Sequence, residues 1–192
     1  MNTLSRLFFT LALASYTLAL TAKDEPPPPP AQPTLPVPKD HYSNTEKGFS
    51  LDYPSNWKKS DIPQLDFILF APSTQANGFP HASMNVVSEK VGSEVTLEQF
   101  YKESADNLQK ALKEVSVQKN GSIDLNGVPA KWLLYTHNMQ GVTFRVIQYF
   151  AVANESIYLI TFSAANDAFD SYLPAFEEIL HSFKLQKTPA KP

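Results

Sequence analysis

One pair of side chains in this sequence has the spacing of a metal site. Glu178 and His181 form E-x-x-H on a predicted helix. Di-iron bundle proteins use this pair twice, together with further carboxylates, but here it occurs once and off the apolar stripe of the helix. His181 in the last turn also suits the negative end of the helix dipole. The sequence therefore predicts a solvated helix face and no metal site.

A second group of polar side chains lies in the segment THNMQG, which is typical of a β-hairpin tip. Its members are His137, Asn138, Met139 and Gln140. A methionine among polar side chains at a loop tip is typical of a contact patch, because its flexible thioether adapts to different partners. We therefore predict that these four residues touch a partner. The alternative is a variable loop tip without a role.

The other candidates are isolated ionisable side chains. His81 begins a predicted strand and His41 lies beside a proline-rich segment, and whether they meet His137 in space is open. Arg145 is the one charge inside a long apolar strand, on the same face as Ile147. A charge in such a strand must be paired or reach solvent. We expect a carboxylate partner or an exposed strand end, and a role as an anion ligand is the alternative.

The motifs of most enzyme classes do not occur in this sequence. It has no G-x-S-x-G nucleophile elbow. Its six glycines form neither a Walker loop nor G-x-G-x-x-G. The chain contains no cysteine, which excludes disulfides and thiolate metal sites. We predict no catalytic residue and no cofactor, and hence a protein that is not an enzyme. With a net charge of −3 and no basic stripe, a nucleic-acid partner is not expected either.

The first residues are typical of an export signal. We predict a cleavable signal peptide over residues 1–22, because LFFTLALASYTLAL is uncharged and LTA before Lys23 suits cleavage. The run is too short to span ~30 Å of hydrocarbon. After cleavage no stable membrane insertion is expected, and we predict a periplasmic or extracellular protein of a bacterium. An uncleaved membrane anchor is the alternative.

A proline-rich linker follows over residues 23–39. Eight of the sixteen prolines lie between Pro26 and Pro38. Proline fixes φ and lacks an amide donor, so this segment should form an extended, semi-rigid arm. A plain spacer is favoured, and a PxxP-type ligand is the alternative. We predict a single globular domain over residues 40–187 and a solvated tail over residues 188–192.

The first half of the domain combines strands with one clear helix. Apolar and polar residues alternate from Phe49 to Tyr53, which predicts a strand with one buried face. The segments FILF and ASMNVVSE predict two more strands. A helix should begin after Thr96, where Gln99 completes a capping box. Glu98 and Lys102 are spaced for an ion pair on its solvated side.

The second half predicts an antiparallel meander and a covering helix. Asn120-Gly121 and Asn126-Gly127 predict tight turns. The strands AKWLLYTHN, VTFRVIQYFAVAN and SIYLITFSA are apolar on both faces, so something must cover each side of the sheet. The last helix carries an apolar stripe of Phe169, Tyr172, Leu173, Phe176, Ile179, Leu180 and Phe183. We expect it to begin at Asp170 or Ser171, which would place Pro174 in its first turn.

Three segments together resemble the PsbP-like superfamily, named after an extrinsic subunit of photosystem II. They are GFSLDYPSNW, NGSIDLNGVPAKWLLY and the closing pattern YLITFSA to YLPAFEEILHSFK, so the resemblance runs from Phe49 to Lys184. It implies an α/β fold, namely an α/β/α sandwich with a central, mostly antiparallel sheet. Bacterial relatives are exported proteins, and a Ran-GTPase-binding protein shares the fold. The resemblance implies no particular activity, since known relatives do different things.

Two functions of different classes fit these observations. The first is a non-enzymatic exported module that binds a protein partner or assists an assembly. The second is a carrier of the cell envelope that holds a small ligand or a metal in a pocket between helix and sheet.

Overall fold

The computed structural model describes residues 37–72, 81–112, 114–139 and 141–186. The predicted signal peptide and most of the predicted linker lie outside these ranges, as do residues 73–80 and the predicted tail. The described residues form ten strands and two helices. The first strand begins at Lys39, the last residue assigned to the linker.

The strands form two antiparallel sheets. The elements in chain order are β1 (Lys39–Asn44), β2 (Phe49–Pro54), β3 (Lys58–Ser60), β4 (Phe67–Phe70), β5 (Ala82–Lys90), α1 (Leu97–Ala111), β6 (Ser116–Asp124), β7 (Pro129–Met139), β8 (Val142–Ala153), β9 (Ser156–Ala165), α2 (Phe169–Ser182) and β10 (Lys184–Leu185). The large sheet has the order β3-β4-β5-β9-β8-β7-β6, and the small one has the order β1-β2-β10.

The large sheet is covered on both sides, as its two-sided apolar pattern predicts. One apolar cluster joins α1 to the sheet, and a second joins the other face to α2 and β2. The layers are therefore α1, the central sheet and α2, with the small sheet packed beside α2. This confirms the predicted α/β/α sandwich.

Helix α1 begins as the sequence predicts. Thr96 accepts a hydrogen bond from the main-chain N–H of Gln99, and the Gln99 side chain accepts one from the N–H of Thr96, which completes the capping box. The expected ion pair of Glu98 with Lys102 is replaced by a longer-range one. The Glu98 carboxylate lies 2.6 Å from Nζ of Lys131 on β7, so it ties the start of the helix to the sheet.

Helix α2 begins one residue earlier than predicted, at Phe169. Pro174 therefore lies in the second turn, where it cannot donate a hydrogen bond to the carbonyl of Asp170. Pro174 is exposed, so solvent can satisfy that carbonyl. The apolar stripe is buried as predicted, and Phe176, Ile179 and Phe183 are at most 2% exposed.

Only one of the two predicted Asn-Gly turns exists. Asn126 and Gly127 both have positive φ, at 53° and 91°, and connect β6 to β7. Asn120-Gly121 instead lies inside β6, so the prediction of a turn there is wrong. Gly121 pairs with Trp132 of β7, and a Cβ at this position would lie 2.8 Å from Nε1 of the indole. The absence of a side chain at Gly121 therefore leaves space for the indole of Trp132, and the chain does not turn there.

Candidate partner-binding surface

The two helices are offset across the large sheet. Helix α1 packs mainly against β7 and β8, whereas α2 packs mainly against β9, β5 and β2. On the α2 side, β5 and β9 are therefore under a helix. Neither helix packs closely on the α2 side of β6 and β7 within the described part of the chain. We call the α2-side face of β6, β7 and β8 the open half, and that of β5 and β9 the covered half.

The two halves differ sharply in exposure. In the covered half, Met84, Val86, Ile160 and Phe162 are all 0% exposed. The open half is also apolar. Tyr149, next to the covered half, is buried, as are Ala130 and Ala151, but the other large side chains are only half-buried. They are Ile123, Trp132, Leu134 and Ile147. Apolar side chains that are contiguous and partly exposed, unlike ones scattered singly, are typical of a surface that another molecule covers.

Trp132 is the centre of the open half. It is flanked by Gly121 on β6 and Tyr149 on β8, its cross-strand partners. Because Gly121 has no side chain, the indole can extend over the edge strand β6. Leu134, two residues along the same strand, pairs with Ile147 on β8. These side chains form a continuous strip across three strands, and tryptophan is the residue type most enriched among energetically dominant interface contacts.

Arg145 closes one end of the open half. Its guanidinium donates to Asp170 at the start of α2 (2.8 Å) and to Asn166 (3.0 Å), and it lies 5.4 Å from the ring centre of Phe169. The expected pairing with a carboxylate is thus confirmed. Since the charge of Arg145 is matched by Asp170, the arrangement ties α2 to β8 and gives no specific support to binding of an anion.

Helix α2 carries two carboxylates on the flank next to the open half. Asp170 and Glu177 are two helical turns apart, so both lie on the flank that faces β8. Burial raises the pKa of Tyr149 to about 12, and the negative charge of Glu177 adds to this effect. Glu177 is therefore close to the phenol at the border between the two halves, while its own side chain is exposed.

Most of the predicted contact patch lies within β7 and not at a loop tip, since β7 extends to Met139. His137 is half-buried in β7, and its ring lies 6.1 Å from that of Tyr135 and 5.9 Å from that of Phe144, on the α1 side. Burial lowers the pKa of His137, and a main-chain hydrogen bond at Asn138 partly offsets this.

Asn138 and Met139 make their contacts within the β7–β8 hairpin. The side-chain oxygen of Asn138 accepts a hydrogen bond from the N–H of Gly141 (3.0 Å), and half-buried Met139 pairs with Val142. Gln140 lies outside the described residues. The contact of these four residues with a partner stays a prediction.

The remaining histidines lie on separate elements. His41 is exposed on β1 and its Nδ1 lies 2.6 Å from a carboxylate oxygen of Asp52, while the carbonyl of His81 accepts from Ala165. His181 is exposed at the end of α2. Glu178, its E-x-x-H partner, lies 3.6 Å from Nζ of Lys39. Within the described residues, no three His, Cys, Asp or Glu side chains are placed to hold a metal ion.

Asp66 is a largely buried carboxylate whose contacts hold elements together. Its oxygens accept from the N–H and Oγ of Ser88 and from Nζ of Lys47 (3.1 Å). The hydroxyl of Tyr158 donates to the carbonyl of Lys47 (2.9 Å). These bonds anchor the β1–β2 turn on the large sheet. With its acceptor positions occupied in this way, Asp66 serves the fold and is poorly placed to act as a base.

A comparison with protein families identifies the chain. A family model described as PsbP-like protein matches residues 37–185, which is most of the sequence and nearly all of the described part. The chain belongs to the PsbP-like family. The resemblance noted in the sequence is thereby confirmed. A search of curated proteins gave no match to this PsbP-like chain.

Solved structures support the same fold at low sequence identity. The cyanobacterial PsbP (CyanoP) of Synechocystis sp. PCC 6803 has 16% identity and a TM-score of 0.60, covering 81% of this chain and 96% of CyanoP. LpqN of Mycobacterium tuberculosis, described as involved in cell envelope biogenesis, has 14% identity and a TM-score of 0.61, with 78% and 91% covered.

A eukaryotic protein also has a similar fold. The Ran-binding protein Mog1p of Saccharomyces cerevisiae has 9% identity and a TM-score of 0.54, covering 79% of this PsbP-like chain and 97% of Mog1p. At such identities the likeness concerns the fold alone. Neither helix of the described part of the chain has the length and apolar character needed to cross a membrane.

Proposed function

We propose that this PsbP-like protein is an exported, non-enzymatic module that binds a partner protein through the open half of its large sheet. The observation that carries this proposal is the contrast between two halves of one apolar face. One half is fully buried under α2, and the other leaves Trp132, Leu134 and Ile147 half-buried. Binding of a protein would remove the remaining apolar area from water, which is favourable.

Export and a role in assembly are further parts of the proposal. The predicted signal peptide over residues 1–22 supports transfer across a membrane, and the proline-rich arm that follows would hold the domain away from a surface. LpqN, described as involved in cell envelope biogenesis, has the same fold. A bacterial envelope is therefore the compartment in which we expect the partner, on the periplasmic or outer side.

The proposal is tested by capture from the envelope fraction of the native cells, using the purified protein with an affinity tag and a chemical cross-linker. The informative variant is Leu134→Glu, which places a charge in the open half. Its matched control is Leu112→Glu, because Leu112 is also a half-buried leucine but packs on the α1 side. We expect Leu134→Glu to abolish cross-linking to a specific protein while Leu112→Glu leaves it intact.

Both variants must be shown to be folded before they are compared, by circular dichroism and thermal melting. Equal cross-linking by Leu134→Glu and the unchanged protein would mean that the open half is not the binding surface. A steady-state turnover measurement that found hydrolysis of a substrate by this domain would remove the non-enzymatic part of the proposal.

A further inference from the structure

The open half has the dimensions of an α-helix. Three neighbouring strands at ~4.8 Å spacing are about 10 Å wide, and a helix with its side chains is ~10–12 Å across. From Leu134 on β7 to the row of Ile123 on β6, which pairs with Ala130, the half-buried strip extends over four residue steps, or ~13 Å. That length corresponds to about nine residues of helix. The strip therefore matches the footprint of a short helix laid along the strands.

The layer that contains α2 is incomplete over this part of the sheet. Helices that share one face of a sheet pack side by side with their axes ~8–10 Å apart. Helix α2 lies over β9 and β5, so the next helix position falls over β7 and β8. No described helix occupies it on this side, and the β6–β7 turn bounds it at one end, where the side chain of Asn126 donates to the carbonyls of His181 and Phe183. Trp132 and Leu134 project where the side chains of such a helix would interdigitate.

The charge next to this position is negative. On α2, Asp170 is paired with Arg145 and Glu178 is paired with Lys39. Glu177 lies on the flank of α2 that faces the open half, and it forms no ion pair within the described residues. A helix that docks beside α2 would therefore gain from a cationic side chain on the flank that faces Glu177.

We infer that the open half receives an amphipathic helix of the partner protein. Its apolar face packs on Trp132, Leu134 and Ile147, and a lysine or arginine on one flank pairs with Glu177. This inference rests on the proposed function, because it specifies what kind of segment the partner presents. The mode of recognition is that of a helix in a groove, where residues at i, i+3, i+4 and i+7 are the anchors.

The inference is tested with synthetic helical peptides as long as the 14 residues of α2. One peptide carries leucine at i, i+3, i+4, i+7 and i+11 with lysine along one flank. A second has glutamate in place of each lysine, and a third is a scrambled version of the first. Trp57 is 6% exposed, so changes in tryptophan emission on binding report mainly on Trp132, and Trp132→Phe removes this signal.

The expected result is that the lysine peptide binds tighter than the glutamate peptide, on the order of tenfold in Kd, and that the scrambled peptide does not bind. The decisive variant is Glu177→Lys, which should reverse the preference between the two peptides. Its matched control is Glu178→Lys, the neighbouring glutamate on the opposite flank of α2. The control should leave the preference unchanged, because Glu178 faces Lys39 and not the open half.

Three results would overturn the inference. They are no binding of the lysine peptide, equal effects of Glu177→Lys and Glu178→Lys, or a dimer in sedimentation that Leu134→Glu dissociates. The last would assign the open half to a second copy of this chain. If envelope cross-linking still depends on Leu134 but no helical peptide binds, the inference fails while the proposed function stands. If cross-linking does not depend on Leu134, the proposed function fails as well.

Discussion

The two halves of the α2-side face have the same kind of amino acids and different environments. In the covered half, Phe162 lies 4.9 Å from Phe176 of α2, ring centre to ring centre, and is 0% exposed. In the open half, Trp132 is of similar chemistry but remains half-buried. The comparison shows that apolar composition alone does not decide burial in this sheet. Burial also depends on which strands α2 covers.

The opposite face makes the contrast more informative. On the α1 side, the row of side chains from β8 through β9 to β5 is polar and consists of Gln148, Thr161 and Asn85, in register across the strands. Helix α1 lies mainly over β7 and β8. Gln148 and Thr161 are nevertheless buried, and Nε2 of Gln148 donates a hydrogen bond to Oγ1 of Thr161 (3.2 Å). The open half differs from this row because its half-buried side chains are apolar and cannot pair in this way, and we therefore propose that a partner covers them.

The largest expected effect is in the covered half. Phe176→Ala should lower the free energy of unfolding by ~3–5 kcal/mol, because it removes buried area and leaves a cavity. Phe176 is 2% exposed and contacts Trp57, Phe162 and Phe169. Urea unfolding measures the change. His181→Ala on the solvated side of the same helix should stay within about 0.5 kcal/mol. A small effect of Phe176→Ala would mean that α2 is not the lid of this half.

The same substitution beside the covered half and within the open half gives a direct comparison. Leu69 lies in β4 on the α2 side and is 0% exposed, whereas Leu134 is half-buried. Leu69→Ala should therefore cost ~2–5 kcal/mol. Leu134→Ala should cost about 1 kcal/mol, since part of its area is already in water. Chemical denaturation of the two variants checks this, and equal costs would show that the open half is part of the core.

Gly121→Ala tests whether Trp132 depends on the glycine. A Cβ at position 121 would lie 2.8 Å from the indole, so the ring must shift and the free energy of unfolding should fall by ~1–3 kcal/mol. Tryptophan emission should move toward the red as Trp132 becomes more exposed. In a Trp132→Leu background the cost of Gly121→Ala should be smaller. An unchanged cost there would assign the effect to the β6 backbone and not to the ring.

The smallest expected effect concerns pH. Burial lowers the pKa of His137 below its ordinary value of 6.5, so the unfolded chain takes up the proton at a higher pH than the folded one. The free energy of unfolding should therefore decrease as pH falls through the ordinary value. His137→Phe should reduce this dependence between neutral and mildly acidic pH. Melting temperatures across that range provide the measurement, and an NMR titration of His137 with a raised pKa would contradict the prediction.

Local signals in the sequence were sufficient for both helices. The capping box of Thr96 and Gln99 involves residues three apart, and the apolar stripe of α2 repeats with the helical period. Both depend on neighbours in sequence, so they can be identified without the fold. The one-residue error at the start of α2 arose because Pro174 is tolerated in an exposed second turn.

Features that depend on distant partners could not be predicted in the same way. Strand β1 has no clear alternation and is defined by its pairing with β2 and by Tyr42, whose ring lies 4.3 Å from that of Phe67. Asn120-Gly121 has the sequence of a turn, but it lies in β6 because Trp132 needs the space. The burial of His137 likewise depends on Phe144 across the hairpin.

The open half could not be read from the sequence for a related reason. Two-sided apolar strands correctly indicated that each face of the sheet is covered, and two helices were available for the two faces. The lateral offset of the helices depends on side-chain packing over the whole sheet. What could have suggested it is the size of a seven-stranded sheet, which is wider than a single helix.

The positions at which the chain enters and leaves β1, β2 and β10 determine how the domain bears mechanical load. Lys39 pairs with Pro54 at one end of β2, whereas Gln186 donates to the carbonyl of Gly48 at the other end. A pull applied to both flanking segments is thus directed along the strands of the small sheet. Its hydrogen bonds are then loaded together in shear and do not open one after another. A domain tethered through its arm would resist such tension better than one whose terminal strands could be peeled apart.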